Sequence, residues 1–224
     1  GKIDWRINKH MDATLMVLGS SDSLRAIVDR PPPGFGTANS EISTLSGFNG
    51  GIAVLRMHGD DWKGRTTVGV VRTAANINIL DAFRFDVTAW QTTLRQDFTF
   101  GSGPLQIRTG LDLFVDPFEA EILLPPQAAD LGEGADAEAG SRQLKTSATG
   151  VQPGVWFDAV FKLRKDLEVV PGIRLDFFRG QTKGQTMLPR INARWLVNKA
   201  LTLKGATGVL SQPPAVQDVV DRFG

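Results

Sequence analysis

The sequence predicts an all-β chain, an antiparallel up-and-down sheet of about ten strands that forms part of a transmembrane β-barrel. Three observations predict it. Polar and apolar residues alternate with a period of two over most of the 224 residues, and no helical stripe of any length interrupts them. One phase of the alternation carries full charges while the other is almost wholly apolar. Connections alternate between short turns and longer loops, the asymmetry of outer-membrane barrels. A soluble sandwich would turn the charged face to bulk water. A membrane barrel turns it to a wet interior and gives the apolar face to lipid.

Taken in order, Ile3, Trp5 and Ile7 oppose Lys2, Asp4, Arg6 and Asn8, and a short turn follows at 9–12. Residues 13–28 read as a long strand whose run Ser20-Ser21-Asp22-Ser23 is too polar for a core and suits the part that rises above a membrane surface. Residues 29–47, with Pro31-Pro32-Pro33-Gly34, read as a loop. A weaker strand at 51–59, a turn at 60–64 and a Thr- and Val-rich strand at 65–80 come next. After a brief reversal at 81–82, residues 83–100 form a long alternating run, but the apolar parity shifts by one between Ala89 and Thr93, which predicts a bulge or a register change. Gly101-Ser102-Gly103-Pro104 is a tight turn. Leu105, Ile107, Leu111, Leu113 and Val115 then oppose Gln106, Arg108, Asp112 and Asp116, up to Pro125-Pro126. An Ala- and Gly-rich loop spans 127–142. Val155, Phe157, Ala159, Phe161 and Leu163 oppose Trp156, Asp158 and Lys162, and Arg164-Lys165-Asp166 turns the chain. The last alternating segments cover 167–180, 187–197 and 201–214, with a break at 181–186 and a turn at 198–200. In the middle one, Pro189, Ile191, Ala193, Trp195 and Val197 oppose Arg190, Asn192 and Arg194. Most of these runs exceed the roughly 5–6 residues common in soluble strands.

Composition narrows the function classes. Twenty-five Lys and Arg against 24 Asp and Glu leave a net charge of +1, and no basic cluster interleaves with aromatics, so nucleic acid is not an expected partner. There is no cysteine for a disulfide, thiol chemistry or a Cys-ligated metal. No stretch approaches 18 consecutive apolar residues, so no transmembrane helix is expected. No signal peptide is read at Gly1-Lys2-Ile3-Asp4, and an exported barrel is expected to need one upstream. Tyr is absent, which counts against a barrel; Phe (13) and Trp (5) are left to form the interfacial girdles.

Several pieces of the C-terminal third carry a resemblance. Val170-Pro171-Gly172-Ile173-Arg174-Leu175-Asp176 resembles the barrel strand of TonB-dependent outer-membrane receptors that reads roughly PGxRxD. Leu188-Pro189-Arg190-Ile191-Asn192-Ala193-Arg194-Trp195 resembles the following strand, PRxxxRW. Leu201-Thr202-Leu203-Lys204-Gly205, Gly208 and Ser211-Gln212-Pro213-Pro214 resemble the next strand and its QPP exit, and Phe223-Gly224 the start of an FGNP loop. Their order and spacing match over about 60 residues, and the likeness elsewhere is architectural. The resemblance implies energised uptake of a nutrient such as a metal chelate, vitamin or saccharide. It implies a place in the bacterial outer membrane, with its lipid and a TonB-type energy-coupling protein as partners. The family barrel has about 22 strands, so residues 1–224 are expected to be an internal portion of a barrel domain whose plug and remaining strands lie outside this chain. A passive porin or assembly-type barrel, and a soluble or surface β-sheet binding module, are the other readings.

No catalytic, cofactor-binding or metal-ligating set is expected, and the protein is not expected to be an enzyme. His10 and His58 are the only histidines. His58-Gly59-Asp60-Asp61 reads as a polar turn, because no second His beside it and no Cys supports a metal site. Asp130, Glu133, Asp136 and Glu138 lack EF-hand spacing and read as a solvated loop. Gly34-Phe35-Gly36 is too short for a phosphate loop. Arg84, Asp86, Arg95, Asp97, Arg108, Asp112, Lys162, Arg174, Asp176, Arg190, Arg194 and Lys204 are expected to face the interior, more as a charge network than as a substrate path.

Overall fold

A computed structural model of the chain describes residues 1–29, 41–80, 83–124, 142–180 and 183–211. These residues form ten strands: β1 (Lys2–Asn8), β2 (Met11–Ile27), β3 (Glu41–His58), β4 (Trp62–Ile79), β5 (Phe83–Phe100), β6 (Leu105–Leu124), β7 (Arg142–Arg164), β8 (Leu167–Arg179), β9 (Lys183–Leu196) and β10 (Thr202–Gly208). They make one sheet in chain order, each strand antiparallel to the last. That is the predicted up-and-down meander. Among the described residues no helix is long and apolar enough to cross a membrane.

Several strands are longer than the alternation suggested, β3 and β7 most of all. β3 starts at Glu41, inside what reads as a loop up to residue 47. Its first turn of sequence, Glu41-Ile42-Ser43-Thr44, has little apolar signal, yet it pairs with both β2 and β4, and the ladders hold it. β7 starts at Arg142 and runs in register with β6 from there. β5 has neither the predicted bulge nor a register change. Ala89↔Phe118 and Thr92↔Val115 keep one register, and only the pairs between them lapse, beside Pro117, which has no N–H to give.

The parity shift in β5 has another cause. Phe83, Phe85 and Val87 share a face with Arg95 and Asp97, while Arg84, Asp86 and Thr88 share one with Trp90, Leu94 and Phe98. The strand is straight, and its two faces exchange polarity part-way along. β4 does the same, with Trp62, Val68 and Val70 giving way on one face to Arg72, Asn76 and Asn78. β6 does so too, with Leu111, Leu113 and Val115 followed by Glu119 and Glu121. On β2 the change falls between Leu15 and Val17 and Ser21 and Ser23. The outer face is therefore apolar near the short turns and polar near the long loops.

Few side chains are buried. Among the described residues the buried apolar ones are Val54, Leu80, Ala120, Val160 and Val170. Trp5, Val155, Phe157, Leu163 and Leu203 stay between 44% and 65% exposed on the outer face. An exposed apolar belt of this extent marks an interaction surface, toward lipid or toward protein. Aromatic residues border the belt. Trp5, Trp62, Phe100, Phe161 and Trp195 lie close to the short turns, and Trp90 lies at its other edge. From Trp90 to Phe100 the strand runs roughly 34 Å at ~3.4 Å per residue, or about 24 Å of height at a 45° tilt, the height of an outer-membrane apolar band. Trp and Phe thus form the girdle without Tyr. The tilt shows in the ladders: the row Trp5–Ala13–Leu55–Thr66–Gln96–Leu111–Val155–Leu175–Met187 begins beside the first short turn and ends far up β9 from the last.

The short turns are tied by local contacts. Gly101 adopts φ +86, where a Cβ would lie 2.8 Å from the Leu105 carbonyl oxygen. Asp166, in the turn before β8, accepts from Arg164 at 2.8 Å and from Trp195 Nε1 at 3.2 Å. Desolvation pushes this carboxyl up, but its own backbone N–H, Trp195 and Arg164 outweigh that and hold it below the usual value. A lowered carboxyl stabilises the fold above its unfolded-state pKa and loses that effect as pH falls through the folded value. The difference in melting temperature between wild type and Asp166→Ala is therefore expected to shrink as pH is lowered through the acid range. A difference that stays constant with pH would refute the contact's role.

Candidate functional site: the charged interior wall

The charged phase of the alternation gathers on the inner face of β5 to β9. Asp112 on β6 is the centre, its side chain 0% exposed. Arg95 Nε of β5 donates to Asp112 Oδ1 at 2.5 Å, and Arg174 Nη1 of β8 donates to Asp112 Oδ2 at 2.6 Å. Arg174 Nε also donates to both oxygens of Asp176, at 2.8 and 2.9 Å. Two cations and two anions balance, and the buried carboxylate is held by charge-assisted bonds on both oxygens. Beside this group, Arg190 of β9 grips Asp158 of β7, with Nη2 at 2.9 Å from each oxygen and Nε at 3.1 Å from Oδ1.

Both groups reach across a strand, and glycine makes that possible. Gly154 lies in register between Asp112 and Asp176. A Cβ there would overlap Asp176 Oδ1 and sit 2.8 Å from Arg174 Nη2. Gly172 lies in register between Asp158 and Arg190, and a Cβ there would overlap Asp158 Oδ1. In both, an acid reaches an arginine two strands away past a glycine on the strand between. Gly110 likewise leaves room for the Trp156 indole, whose Nε1 would be 2.7 Å from an added Cβ. The glycine of the PGxRxD-like stretch is thus a window through which an ion pair closes.

The structure brings together Arg95, Asp112, Arg174, Asp176 and Arg190 of the expected interior set. Asp158 was left out of that set although alternation puts it on the charged phase with Lys162, and Gly154 and Gly172 are marked only by the cross-strand register. Asp97, Arg108, Lys162, Arg194 and Lys204 face the same interior, and no ion pair joins them among the described residues. Arg84 and Asp86 are a correction. They sit on the outer face in the polar zone, 3.5 Å apart, with Asn76 donating to Asp86. Their alternation with apolar neighbours was read without the exchange of faces. The outer polar zone also holds Arg25 with Glu41 at 2.5 Å and Lys145 with Glu121 at 2.9 Å.

His58 has a neighbour that the sequence reading lacked. Its ring and that of His10, in the turn before β2, are 5.4 Å apart between centroids and inclined at 64°. No group of three or more His, Cys, Asp or Glu gathers as for a metal among the described residues. Asp130, Glu133, Asp136, Glu138, Gly34-Phe35-Gly36, Gln212-Pro213-Pro214 and Phe223-Gly224 lie outside the described residues.

No protein-family model matches the chain, and no curated protein matches it in sequence. Solved structures do match. The ferripyoverdine receptor of the outer membrane of Pseudomonas aeruginosa, bound to ferripyoverdine, aligns with a TM-score of 0.65 at 12% identity over 88% of this chain and 33% of that one. The ferric-catecholate import receptor of E. coli, in its open form, gives 0.66 at 11% identity over 95% and 46%. The ferric preacinetobactin receptor of Acinetobacter baumannii gives 0.61 at 9% over 91% and 38%. The chain spans about a third to a half of the structures it matches. Its fold is that of the barrel wall of outer-membrane receptors.

Proposed function

We propose that this chain is part of the barrel wall of a TonB-dependent outer-membrane receptor that takes up a small-molecule nutrient. The observation that carries the reading is the two-faced wall. Its outer belt is apolar, about a bilayer high and edged by Trp and Phe, and its inner face is closed by the Asp112 and Asp158 networks. The likeness to receptor barrels and the resemblance of residues 170–214 to receptor strands support it. Lipid covers the outer belt. Energy coupling enters through a plug domain elsewhere in the gene product. A ferric chelate is the first substrate to try, because the similar structures named above are receptors for ferric chelates; vitamins and saccharides follow.

The test is made on the full gene product. It is expected in the outer-membrane fraction, extracted only by detergent, and deletion of the gene is expected to abolish uptake of its nutrient. Collapse of the proton-motive force should stop that uptake. Uptake that continues without it would identify a passive porin, and a product that stays in the aqueous fraction without detergent would overturn the membrane reading altogether.

A further inference from the structure

We propose that His10 and His58 form a two-imidazole site for a borderline divalent transition-metal ion, Zn2+, Cu2+ or Ni2+, at the short-turn rim of the sheet. They are the only histidines among 224 residues, and they stand 48 positions apart (58 − 10). The fold nevertheless puts their rings in contact. The backbone holds the pair in place: His10 N–H donates to Asn8 Oδ1 at 2.8 Å, and His58 N–H donates to the His10 carbonyl at 3.0 Å.

The spacing suits a shared ion. With a metal–nitrogen bond of about 2.0–2.1 Å, a metal lies about 3.2 Å from an imidazole centroid. Two rings at a tetrahedral angle then have centroids about 5.2 Å apart, against the 5.4 Å observed. Both side chains are exposed, so the rings turn about χ2 without displacing packed neighbours. Asp60 follows in the same turn, and Asp61 accepts from Ser102 at 3.0 Å. Lys63 lies directly across from His58, and Asp12 is paired with Arg56 at 3.0 Å. Among the described residues no third side-chain ligand converges, so water fills the other positions and the site is an open, exchangeable one. Cu2+ is expected to bind most tightly of the three.

The test uses the untagged full gene product folded in detergent, titrated with ZnCl2 at neutral pH by calorimetry, beside His10→Ala, His58→Ala and the double variant. One class of site is expected to lose affinity by ~10-fold or more in either single variant. The double variant should lose little more. Cu2+ bound to the wild type supplies a readout independent of any variant's folding, and its electron-spin spectrum is expected to show two equivalent nitrogens. A spectrum with one nitrogen or none overturns the proposal. So do superimposable Zn2+ titrations of the wild type and a double variant that remains folded, as judged by its heat-modified mobility. The outcome does not depend on whether the protein transports anything.

Discussion

Asp112→Ala is expected to cost about 3 kcal/mol, the low end for removing one partner of a buried ion pair, because Arg95 stays partly hydrated. The change leaves two arginines facing one another across the space the carboxylate filled. Arg174 keeps Asp176, so Arg95 is the group left without a partner. Urea unfolding of the full gene product in lipid vesicles reads the loss. Adding Arg95→Ala to the Asp112 variant should cost little more, since the two act as one unit, and the cycle would be strongly non-additive. A loss below about 0.5 kcal/mol for Asp112→Ala, in the range of ordinary surface changes, would show that the interior wall does not depend on this carboxylate.

Phe157→Arg is expected to cost about 2–4 kcal/mol, the penalty for a cation at the lipid midplane of a barrel. Ser147→Arg lies on the same strand and the same face but in the polar zone, opposite Glu119, and is expected to cost about 0–1 kcal/mol. Folding yield into vesicles and the urea midpoint distinguish them. Equal costs would mean that the belt's upper edge is misplaced on β7.

Much of this wall was legible in the sequence. The bounds 83–100 of β5, the short turns and the charged phase of β8 and β9 follow from period-two alternation alone. The start of β3 at Glu41 was not legible, because Ser, Thr and Gly carry no apolar signal and the ladder, not propensity, fixes them. The Asp112–Arg174 bond joins residues 62 apart, and the glycine windows at Gly154 and Gly172 acquire meaning only when three strands are aligned. The histidine pair was hidden for the same reason. Arg84 and Asp86 were misassigned because alternation tells which residues share a face but not which medium that face meets.

The exchange of polarity along the strands does more than explain that error. Strict alternation tolerates any slip of two residues, since every side chain returns to the face it left. Such slips would be silent in a sheet whose faces were uniform from end to end. Here they are not. Sliding β5 two residues toward the short turns would carry Thr88 to the level of Trp90 and Asp86 to the level of Thr88, bringing a carboxylate toward hydrocarbon. Sliding it the other way would lift Trp90 out of the interface. In the proposed barrel the pattern therefore encodes depth as well as facing, so the chain would specify its own height in the bilayer strand by strand.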